Sequence, residues 1–589
     1  MSPNLKISSY VVNRLGTIRT QCSGCLYGTM YDGTLLIVGF NLESSHGADY
    51  KSNYSQIQNN FPTEVYLCGL VKFGDCTDTQ AHLTEILLDV DVTDNPILLN
   101  CSANSDIKAS FFIHGKLKEA EYEIVDESYV WRQFIYIRLQ VNLRLVCENT
   151  SSSVSESMTQ LRKKMASGVV SFNFPKTQVF LMGAGADSCL TNLTKESTVE
   201  DLFKLYDLSA GEKSSKIKKK KNSFEINVMG AGLVMKATKE TSAETLNKAA
   251  VKMSLITGAT DSYIQLPLFV DALSMIHINT KIIQLYDMLV ESTCSSLRLM
   301  EKNILDQIAC VDTELAQPIA YHFLPNNCGH FFTYYYPQNF PEKKYAEIRK
   351  LLHQQLSLPM DRPQFRRTNS YIFPDELKKG ALMNVHEGIA SQVKDGVVSI
   401  VYGKYMYHHY LQDKFDDEGW GCAYRSLQTL VSWFRLQGYT DHPIPTHIEI
   451  QKCLVDLGDK SHSFIGSKQW IGSTEVSFCL ESMLGISSRI IFVNNGEEMK
   501  TKGSDLSLHF ETNGTPIMIG GGVLAHTILG VDYNRETGDI KFLILDPHYT
   551  GPDDLFTIQA KGWCSWKSAD FWRKSAYYNM CLPQRPRCI

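Results

Sequence analysis

The order of apolar and polar residues along the first half of the chain is typical of β-strands. Four stretches are rich in β-branched and aromatic residues, which favours extended backbone: 33–42, 63–74, 96–100 and 134–147. The pattern changes over 245–310, where apolar residues recur at intervals of three and four and predict helices. We therefore expect an α+β region over residues 1–356.

Two polar segments interrupt this region. Residues 149–157 are rich in serine and predict a connecting loop. Lys213–Lys221 contains six lysines in nine residues, and a charge run of this kind predicts a solvated loop. A nuclear address and a contact with anionic lipid headgroups are the alternative interpretations.

A change of composition then indicates a second region. Residues 357–387 are rich in proline, arginine and polar side chains, which predicts a linker. Over 388–589 the pattern predicts opening strands in 396–412, one helix at 422–438, and paired strands before the C-terminus. We expect this region to be a separate domain.

Composition and charge exclude several classes of protein. The chain has 589 residues, 43% of them hydrophobic, and a net charge of −5, so it is an ordinary folded protein without the basic bias of a nucleic-acid binder. No window approaches the roughly 18–20 apolar residues of a membrane span. We also see no apolar targeting segment at the N-terminus. We therefore expect a cytoplasmic protein whose 16 cysteines are mostly reduced.

A candidate nucleophile lies at the start of the predicted C-terminal helix. The sequence Gly419-Trp420-Gly421-Cys422 leads directly into the helix, and its glycines allow a sharp turn of the backbone. The N-terminus of a helix favours an anion, so a thiol there has a lowered pKa. A buried, inert thiol is the alternative, and it is the one we expect for the other cysteines.

A candidate base and its orienting carboxylate lie in one short motif. Asp546 and His548 follow an apolar strand and are separated by a proline, so alternation along the strand would project both side chains to the same side. The carboxylate would then hold the imidazole in the required tautomer. His526 is the competing base, but it has no adjacent carboxylate.

Acyl transfer also needs donors for the developing oxyanion. The backbone N–H of Cys422 is one, and a phenol is a second. Tyr405, Tyr407 and Tyr410 all precede the nucleophile, and their chemistry alone does not choose between them.

Metal and cofactor motifs are missing from the sequence. There is no H-x-H and no H-E-x-x-H, and the C-x-x-C at Cys22 and Cys25 has no second pair at ligand spacing. There is also no phosphate-binding or dinucleotide-binding fingerprint. We expect neither a metal nor a cofactor.

Three long motifs closely resemble the ubiquitin-fold modifier-specific proteases, in the longer, two-domain form of that family. They are YHHYLQDKFDDEGWGCAYRSLQTL at 407–430, GSKQWIGSTEVSFCL at 466–480, and GGGVLAHTILGVDYN with FLILDPHYTG in 520–551. A shorter Gly-Cys and Asp-Pro-His signature is shared with the autophagy cysteine proteases.

The resemblance implies a papain-like cysteine protease domain over 388–589. Matched residue by residue, Cys422 corresponds to the nucleophile, Asp546 and His548 to the Asp-Pro-His pair, and Tyr410 to the tyrosine of the oxyanion hole. Trp470 and Gly472 fall in a motif near the groove that takes the modifier's C-terminal tail. The implied reactions are processing of the modifier precursor after its C-terminal Gly and cleavage of the isopeptide bond to target lysines.

For residues 1–356, the resemblance implies a fold similar to MPN domains. Because H-x-H is missing, this copy would lack a zinc site and would serve in substrate or partner docking. The family's long form also implies work at the cytosolic face of the endoplasmic reticulum with a membrane-anchored adaptor. Three alternatives remain: a scaffold acting mainly through the N-terminal region, a protease for another ubiquitin-like modifier, and a cysteine transferase of similar fold.

Overall fold

The computed structural model divides the chain into two compact units, 1–359 and 360–589. The structure describes residues 3–43, 54–55, 57–74, 79–90, 92–102, 106–183, 188–190, 192–211, 226–235, 263–310, 315–338, 341–376, 381–391 and 393–587. The lysine run Lys213–Lys221 and the helix predicted within 245–262 lie outside the described residues.

The first unit begins with an eight-stranded sheet in the order β7-β6-β5-β4-β2-β3-β1-β8. Its strands are β1 (Asn4–Ser8), β2 (Cys22–Tyr31), β3 (Thr34–Leu42), β4 (Tyr66–Phe73), β5 (Ile97–Cys101), β6 (Ile107–Ile113), β7 (Lys116–Ala120) and β8 (Tyr122–Val125). Helices α1 (Ser9–Leu15), α2 (Thr79–Ile86) and α3 (Glu127–Gln133) accompany it. The predicted strands at 33–42, 63–74 and 96–100 correspond to β3, β4 and β5.

A second sheet of the same unit has the order β11-β10-β12-β9-β13. Its strands are β9 (Phe134–Glu148), β10 (Val170–Asn173), β11 (Phe180–Met182), β12 (Val228–Met235) and β13 (Tyr263–His277). A separate hairpin pairs β14 (Pro318–Phe323) with β15 (Phe332–Pro337). The accompanying helices are α4 (Ser151–Ala166), α5 (Val199–Gly211), α6 (Leu285–Ala309) and α7 (Ala346–Gln355).

Two predictions for this region were wrong. The apolar run ending at His277, interpreted as helical, is strand β13, which pairs with β9 along its whole length. Both faces of its second half are buried, so its apolar run has no period that separates strand from helix. The serine-rich segment 149–157 is largely helix α4, where the Thr150 side chain accepts from the Ser153 N–H as a cap.

The second unit is built on a seven-stranded sheet in the order β17-β22-β18-β19-β20-β21, with β16 also paired to β19. Its strands are β16 (Val397–Ile400), β17 (Ser488–Val493), β18 (Ile517–Gly521), β19 (Leu524–Tyr533), β20 (Ile540–Leu545), β21 (Cys564–Ser568) and β22 (Tyr578–Pro583). Its helices are α8 (Cys422–Leu436), α9 (His447–Asp456), α10 (Ser473–Leu484), α11 (Gly503–Thr512) and α12 (Leu555–Ala560). The helix predicted at 422–438 is therefore α8.

Strand alternation places a hydrophobic core on each face of this sheet. Leu543 and Leu545 belong to the core formed with α8 and α10, whereas Phe542 and Ile544 belong to the opposite core, to which α11 contributes. Helix α8 is buried along nearly its entire length, so its first residue is held rigidly against the sheet.

The segments that precede α8 contain little regular structure. Of the strands predicted in 396–412, only β16 forms. The stretch predicted as a linker has its part beyond residue 359 within the second unit, where Phe365, Phe373 and Val385 are buried. Among the described residues, no helix is long and apolar enough to cross a lipid bilayer.

Truncation of Leu427 tests how far the second unit depends on the packing of α8. This side chain is fully buried in the core on that face. We expect Leu427→Ala to lower the free energy of unfolding by about 2–5 kcal/mol, because it removes buried apolar atoms and leaves a cavity. Leu508→Ala, at a helical position that is 54% exposed, is the matched control and should cost less than about 1 kcal/mol. Urea unfolding followed by circular dichroism measures both, and equal losses would contradict the prediction.

Candidate active site

The loop that presents Cys422 depends on two glycines. Gly419 has φ +81°, a left-handed conformation that favours glycine. A Cβ at Gly421 would lie 2.5 Å from Oδ2 of Asp417, so this position has no room for a side chain. Cys422 is then the first residue of α8 and is buried, with 9% exposure. Its backbone N–H has no partner within the helix, because the first turn of a helix leaves its donors unpaired.

The buried carboxylate of Asp417 holds the nucleophile loop in place through hydrogen bonds. Asp417 is fully buried, and its Oδ2 accepts from Nε of Arg425 at 2.6 Å and lies 3.0 Å from Nε2 of His447. Its Oδ1 accepts from the Leu411 N–H at 2.9 Å, and its backbone carbonyl accepts from the Gly421 N–H at 2.9 Å. Burial raises the pKa of Asp417, but the donors from His447, Arg425 and Leu411 outweigh it, so the pKa is lowered and the group stays ionised.

Asp546 and His548 meet through a turn, not through strand alternation as predicted. Strand β20 ends at Leu545, and Asp546 Oδ1 accepts from the backbone N–H of His548 at 3.0 Å, a local turn that aspartate favours. The same oxygen lies 2.5 Å from Nδ1 of His548. The Asp546 N–H donates to Trp563 O at 2.8 Å, and the Tyr407 hydroxyl donates to the Asp546 carbonyl. The carboxylate therefore orients the imidazole from a fixed backbone.

Cys422 and His548 form the reactive pair. Nδ1 of His548 is bonded to Asp546, while Nε2 is buried without a nitrogen or oxygen partner among the described residues and is left for the thiol, with which the imidazole interacts. Burial raises the pKa of the Cys422 thiol, but the hydrogen bond and charge of His548, with smaller contributions from Ala525 and Tyr410, lower it overall. Burial lowers the pKa of His548, but Asp546 and Cys422 together raise it to about 9. This arrangement favours a thiolate–imidazolium pair.

Tyr410 completes the group. Its backbone N–H donates to Pro547 O at 3.0 Å, its ring lies edge-on to His548 with centroids 5.3 Å apart, and its hydroxyl interacts with the Cys422 side chain. Burial raises the pKa of this phenol, and Cys422 raises it further, so Tyr410 keeps its proton and can donate. The other two candidate tyrosines have different partners: the Tyr405 hydroxyl lies 3.0 Å from His386 Nδ1, and Tyr407 bonds to Asp546.

His526 lies close to both Asp546 and His548. Its Nε2 is 3.9 Å from Oδ2 of Asp546, and its ring centroid is 5.3 Å from that of His548. Burial lowers its pKa to about 4, so the ring is neutral near pH 7. His526 thus contacts the far side of the carboxylate, while Ala525, the residue before it, provides a backbone hydrogen bond to Cys422. These positions favour His548 over His526 as the base.

Trp470 and Gly472 lie on the segment before α10. Trp470 is 55% exposed, and its indole N–H donates to Gly419 O at 3.3 Å, which ties it to the nucleophile loop. The Gly472 N–H donates to Glu475 at 3.0 Å at the start of α10. The structure therefore brings Trp470 to the loop of Cys422, whereas the bond at Gly472 belongs to the helix start.

Metal-ligand spacing occurs in one place within the described ranges. The donor atoms of His526, Asp546 and His548 lie within 4.8 Å of one another. The hydrogen bond between Asp546 and His548 already occupies one potential metal-ligand atom of each residue. Cys25, of the C-x-x-C motif, is fully buried, and burial raises its thiol pKa, which favours the uncharged thiol.

The sequence interpretation missed the residues that support the loop. Asp417 was visible as part of an acidic run before Gly419, but a run of exposed acids gives no sign that one of them is buried. Arg425 lies one turn into α8 with 1% exposure, and His447 comes from a different helix. No local pattern signals these contacts, because they form only when the loop packs against the two helices.

Family models match most of the chain. Peptidase family C78, a family of cysteine peptidases, matches residues 396–581. The insect UFM1-specific protease N-terminal MPN-like domain matches 1–130, and the N-terminal region of ubiquitin-fold modifier 1 specific protease 2 matches 155–378. These matches confirm the predicted fold class: a papain-like cysteine peptidase domain preceded by an MPN-like region.

Individual relatives support the same family as these models. The chain is 44% identical to "Probable Ufm1-specific protease 2" of Drosophila melanogaster over the whole of both chains. It is 50% identical to "Ufm1-specific protease 2" of Homo sapiens over 56% of this chain and 70% of that protein. Among solved structures, the crystal structure of UfSP from C. elegans is similar over the full length of both chains, with a TM-score of 0.69 and 25% identity. Identity of this size extends over the full length of the chain, and Cys422, His548, Asp546 and Tyr410 converge in its second unit. The chain therefore belongs to the Ufm1-specific protease 2 family.

Proposed function

We propose that this protein is a thiol protease that processes the Ufm1 precursor after its C-terminal Gly and cleaves the isopeptide bond between Ufm1 and target lysines. The observation that carries the proposal is the convergence of Cys422, His548, Asp546 and Tyr410 in a domain of a cysteine peptidase family. The substrate comes from the relatives, which bear the name Ufm1-specific protease 2.

The geometry supports a two-stage acyl transfer. The Cys422 thiolate attacks the carbonyl carbon after the terminal Gly, and the oxyanion accepts hydrogen bonds from the Tyr410 hydroxyl and the Cys422 N–H. The C–N bond breaks as the His548 imidazolium gives its proton to the leaving amine. Water then attacks the thioester, giving its proton to His548, and the C–S bond breaks to release the modifier and restore the thiolate. Asp546 holds the imidazole in position and stabilises its charged form throughout.

The modifier's tail enters along Trp470 and Gly472 in this proposal. Support comes from the bond between Trp470 and the nucleophile loop, together with the large exposed indole surface. A channel too narrow for a side chain at the terminal position would select Gly.

Two alternatives differ in support. A protease for another ubiquitin-like modifier would use the same residues, so only substrates separate it from the proposal. A scaffold acting mainly through the N-terminal region receives no support, because relatives that match the whole chain are named as proteases. For residues 1–356 we propose substrate or partner docking, supported by the match to an MPN-like domain.

We place this activity in the cytoplasm, at the cytosolic face of the endoplasmic reticulum, beside a membrane-anchored adaptor. Support for this location is the family resemblance. Separation of organelle membranes from cytosol, with blotting for the protein, tests it.

An electrophilic probe tests nucleophile and substrate together. Ufm1 carrying a vinyl electrophile at its C-terminal Gly should form an adduct on Cys422, located by mass spectrometry, whereas the equivalent ubiquitin probe should not react. Cys422→Ala should abolish the adduct. Cys453→Ala is the matched control, since Cys453 is equally buried and a hydrogen bond with Cys479 lowers its pKa to about 6. An adduct on Cys453 would contradict the proposal.

Removal of the Tyr410 hydroxyl tests the oxyanion hole. We expect Tyr410→Phe to lower kcat by about 10²–10³-fold, because one donor to the transition state is lost while the ring remains. Tyr405→Phe also loses a bonded hydroxyl, that to His386, and should stay within about threefold of the parent protein. Turnover of a Ufm1 fusion with a fluorogenic leaving group measures both variants. Full activity of Tyr410→Phe would show that the hydroxyl does not serve the oxyanion.

The reactive pair also predicts a bell-shaped pH profile. Below the lowered pKa of Cys422 the thiolate is protonated, and above the pKa of His548, about 9, the proton for the leaving amine is lost. We expect kcat/KM to rise on the acid side, to level near neutral pH, and to fall through about pH 9. Steady-state rates between pH 5 and pH 10 check this, and a rate that keeps rising through pH 9 would contradict an imidazolium partner.

A further inference from the structure

A cavity lies beside Tyr410, the residue that contacts both members of the reactive pair, although neither Cys422 nor His548 lines it. It has a volume of about 710 Å³, and one wall is Tyr410 together with the loop that follows it. Thr550–Asp553, which begin two residues after His548, form another wall, and Glu376 and Met383 lie on a third. All these residues belong to the second unit. Neither Trp470 nor Gly472 lines the cavity.

The position of this cavity relates it to the leaving group. In the proposed reaction the modifier's tail approaches past Trp470, and His548 protonates the amine that departs. We infer that the leaving group lies next to His548, on the side of Tyr410 and of the segment Thr550–Asp553, both of which line the cavity. A target lysine joined to the modifier by an isopeptide bond is part of a polypeptide. The protease must therefore accommodate that polypeptide on the leaving-group side.

The chemistry of the lining indicates what kind of polypeptide fits. Glu376, Asp413 and Asp553 place three carboxylates on the cavity against the single ammonium of Lys414. Asp413 has a side chain that is 81% exposed, with Oδ2 at 3.6 Å from Nη1 of Arg425, and Glu376 is also exposed, so both carboxylates can meet a ligand. Asp553 accepts from Gln412 and lies 3.0 Å from His409 Nε2, which holds it in the wall.

Apolar and uncharged groups complete the lining. Ile372, Met383, Met406 and Leu411 offer a path for the aliphatic stem of a lysine. His408 also lines the cavity with 8% exposure, and neither of its ring nitrogens has a partner within the part of the chain that the structure describes. Burial lowers the pKa of His408 to about 3, so the neutral ring keeps one donor and one acceptor.

We propose that this cavity binds the target polypeptide around the modified lysine and favours targets with basic residues beside that lysine. The inference rests on the proposed function, because it assigns the leaving-group side of the same reaction. Opposite charges attract across the cavity mouth, so the preference should be strongest at low ionic strength. Glu376 and Asp413 are the residues that attract the basic side chains of the target.

Three Ufm1 substrates and two double variants of the full chain test this inference. One substrate carries a lysine peptide flanked by arginines, one carries the same peptide flanked by serines, and one carries a small aminocoumarin. Glu376→Gln with Asp413→Asn removes both accessible charges; glutamine retains the oxygen that accepts from Phe373, and asparagine tolerates the left-handed backbone of residue 413. Glu497→Gln with Glu536→Gln makes the same charge change at exposed positions outside the cavity lining.

The parent protein should cleave the arginine-flanked substrate about three- to tenfold more efficiently, in kcat/KM, than the serine-flanked one. The cavity variant should reduce this preference to less than about twofold and leave aminocoumarin release unchanged, and the control variant should retain the preference. Equal cleavage of both peptides by the parent protein, or an undiminished preference in the cavity variant, would overturn the inference. So would an equal loss on aminocoumarin, because the two acids would then act on the catalytic residues. A parent protein that releases no aminocoumarin would instead contradict the proposed function itself.

Discussion

The fully buried carboxylate of Asp417 is the constraint on which the rest of the site depends. It accepts from the Leu411 N–H next to Tyr410 and contacts side chains from two helices, while the backbone carbonyl of the same residue accepts from the Gly421 N–H before Cys422. Asp417 therefore sets the positions of both the oxyanion donor and the nucleophile. A buried charge is costly unless every lone pair is satisfied. Here the donors from Arg425, His447 and Leu411 compensate for it. Loss of any one of them would leave the charge less well compensated, and this ties the shape of the loop to the stability of the unit.

The protonation state of the reactive pair follows from the same principle of compensation. Burial disfavours both a thiolate and an imidazolium, yet each stabilises the other, and Asp546 supplies a further negative charge behind the ring. The neutral ring of His526 lies on the far side of that carboxylate, so it adds no competing positive charge. The reactive pair is built on the end of strand β20 and the start of helix α8.

Much of the fold could be predicted from local pattern. Strands β3, β4, β5 and β9 and helix α8 followed from composition and periodicity, because each has a distinct periodicity or β-branched content. The prediction failed where both faces of a segment are buried, as in β13, and where a serine-rich stretch is capped into helix α4. For β13, tertiary packing selects the strand over the local propensity, and for α4 the Thr150 cap together with the burial of Val154 and Met158 selects the helix. The lysine run and the helix predicted in 245–262 remain predictions.

For the site, the sequence by itself determined the chemical groups: a cysteine after a glycine turn at a helix start, a carboxylate and an imidazole two residues apart, and three tyrosines upstream. It could not choose among the tyrosines, and it assigned the wrong local geometry to Asp546 and His548, which meet through a turn. Only the tertiary structure decided that Tyr410 contacts Cys422 while Tyr407 supports Asp546 and Tyr405 pairs with His386. The reason is physical. Propensity and spacing describe each element separately, whereas the contacts that select one phenol, bury Asp417 and form a cavity beside Tyr410 arise only when separate loops, helices and strands pack together.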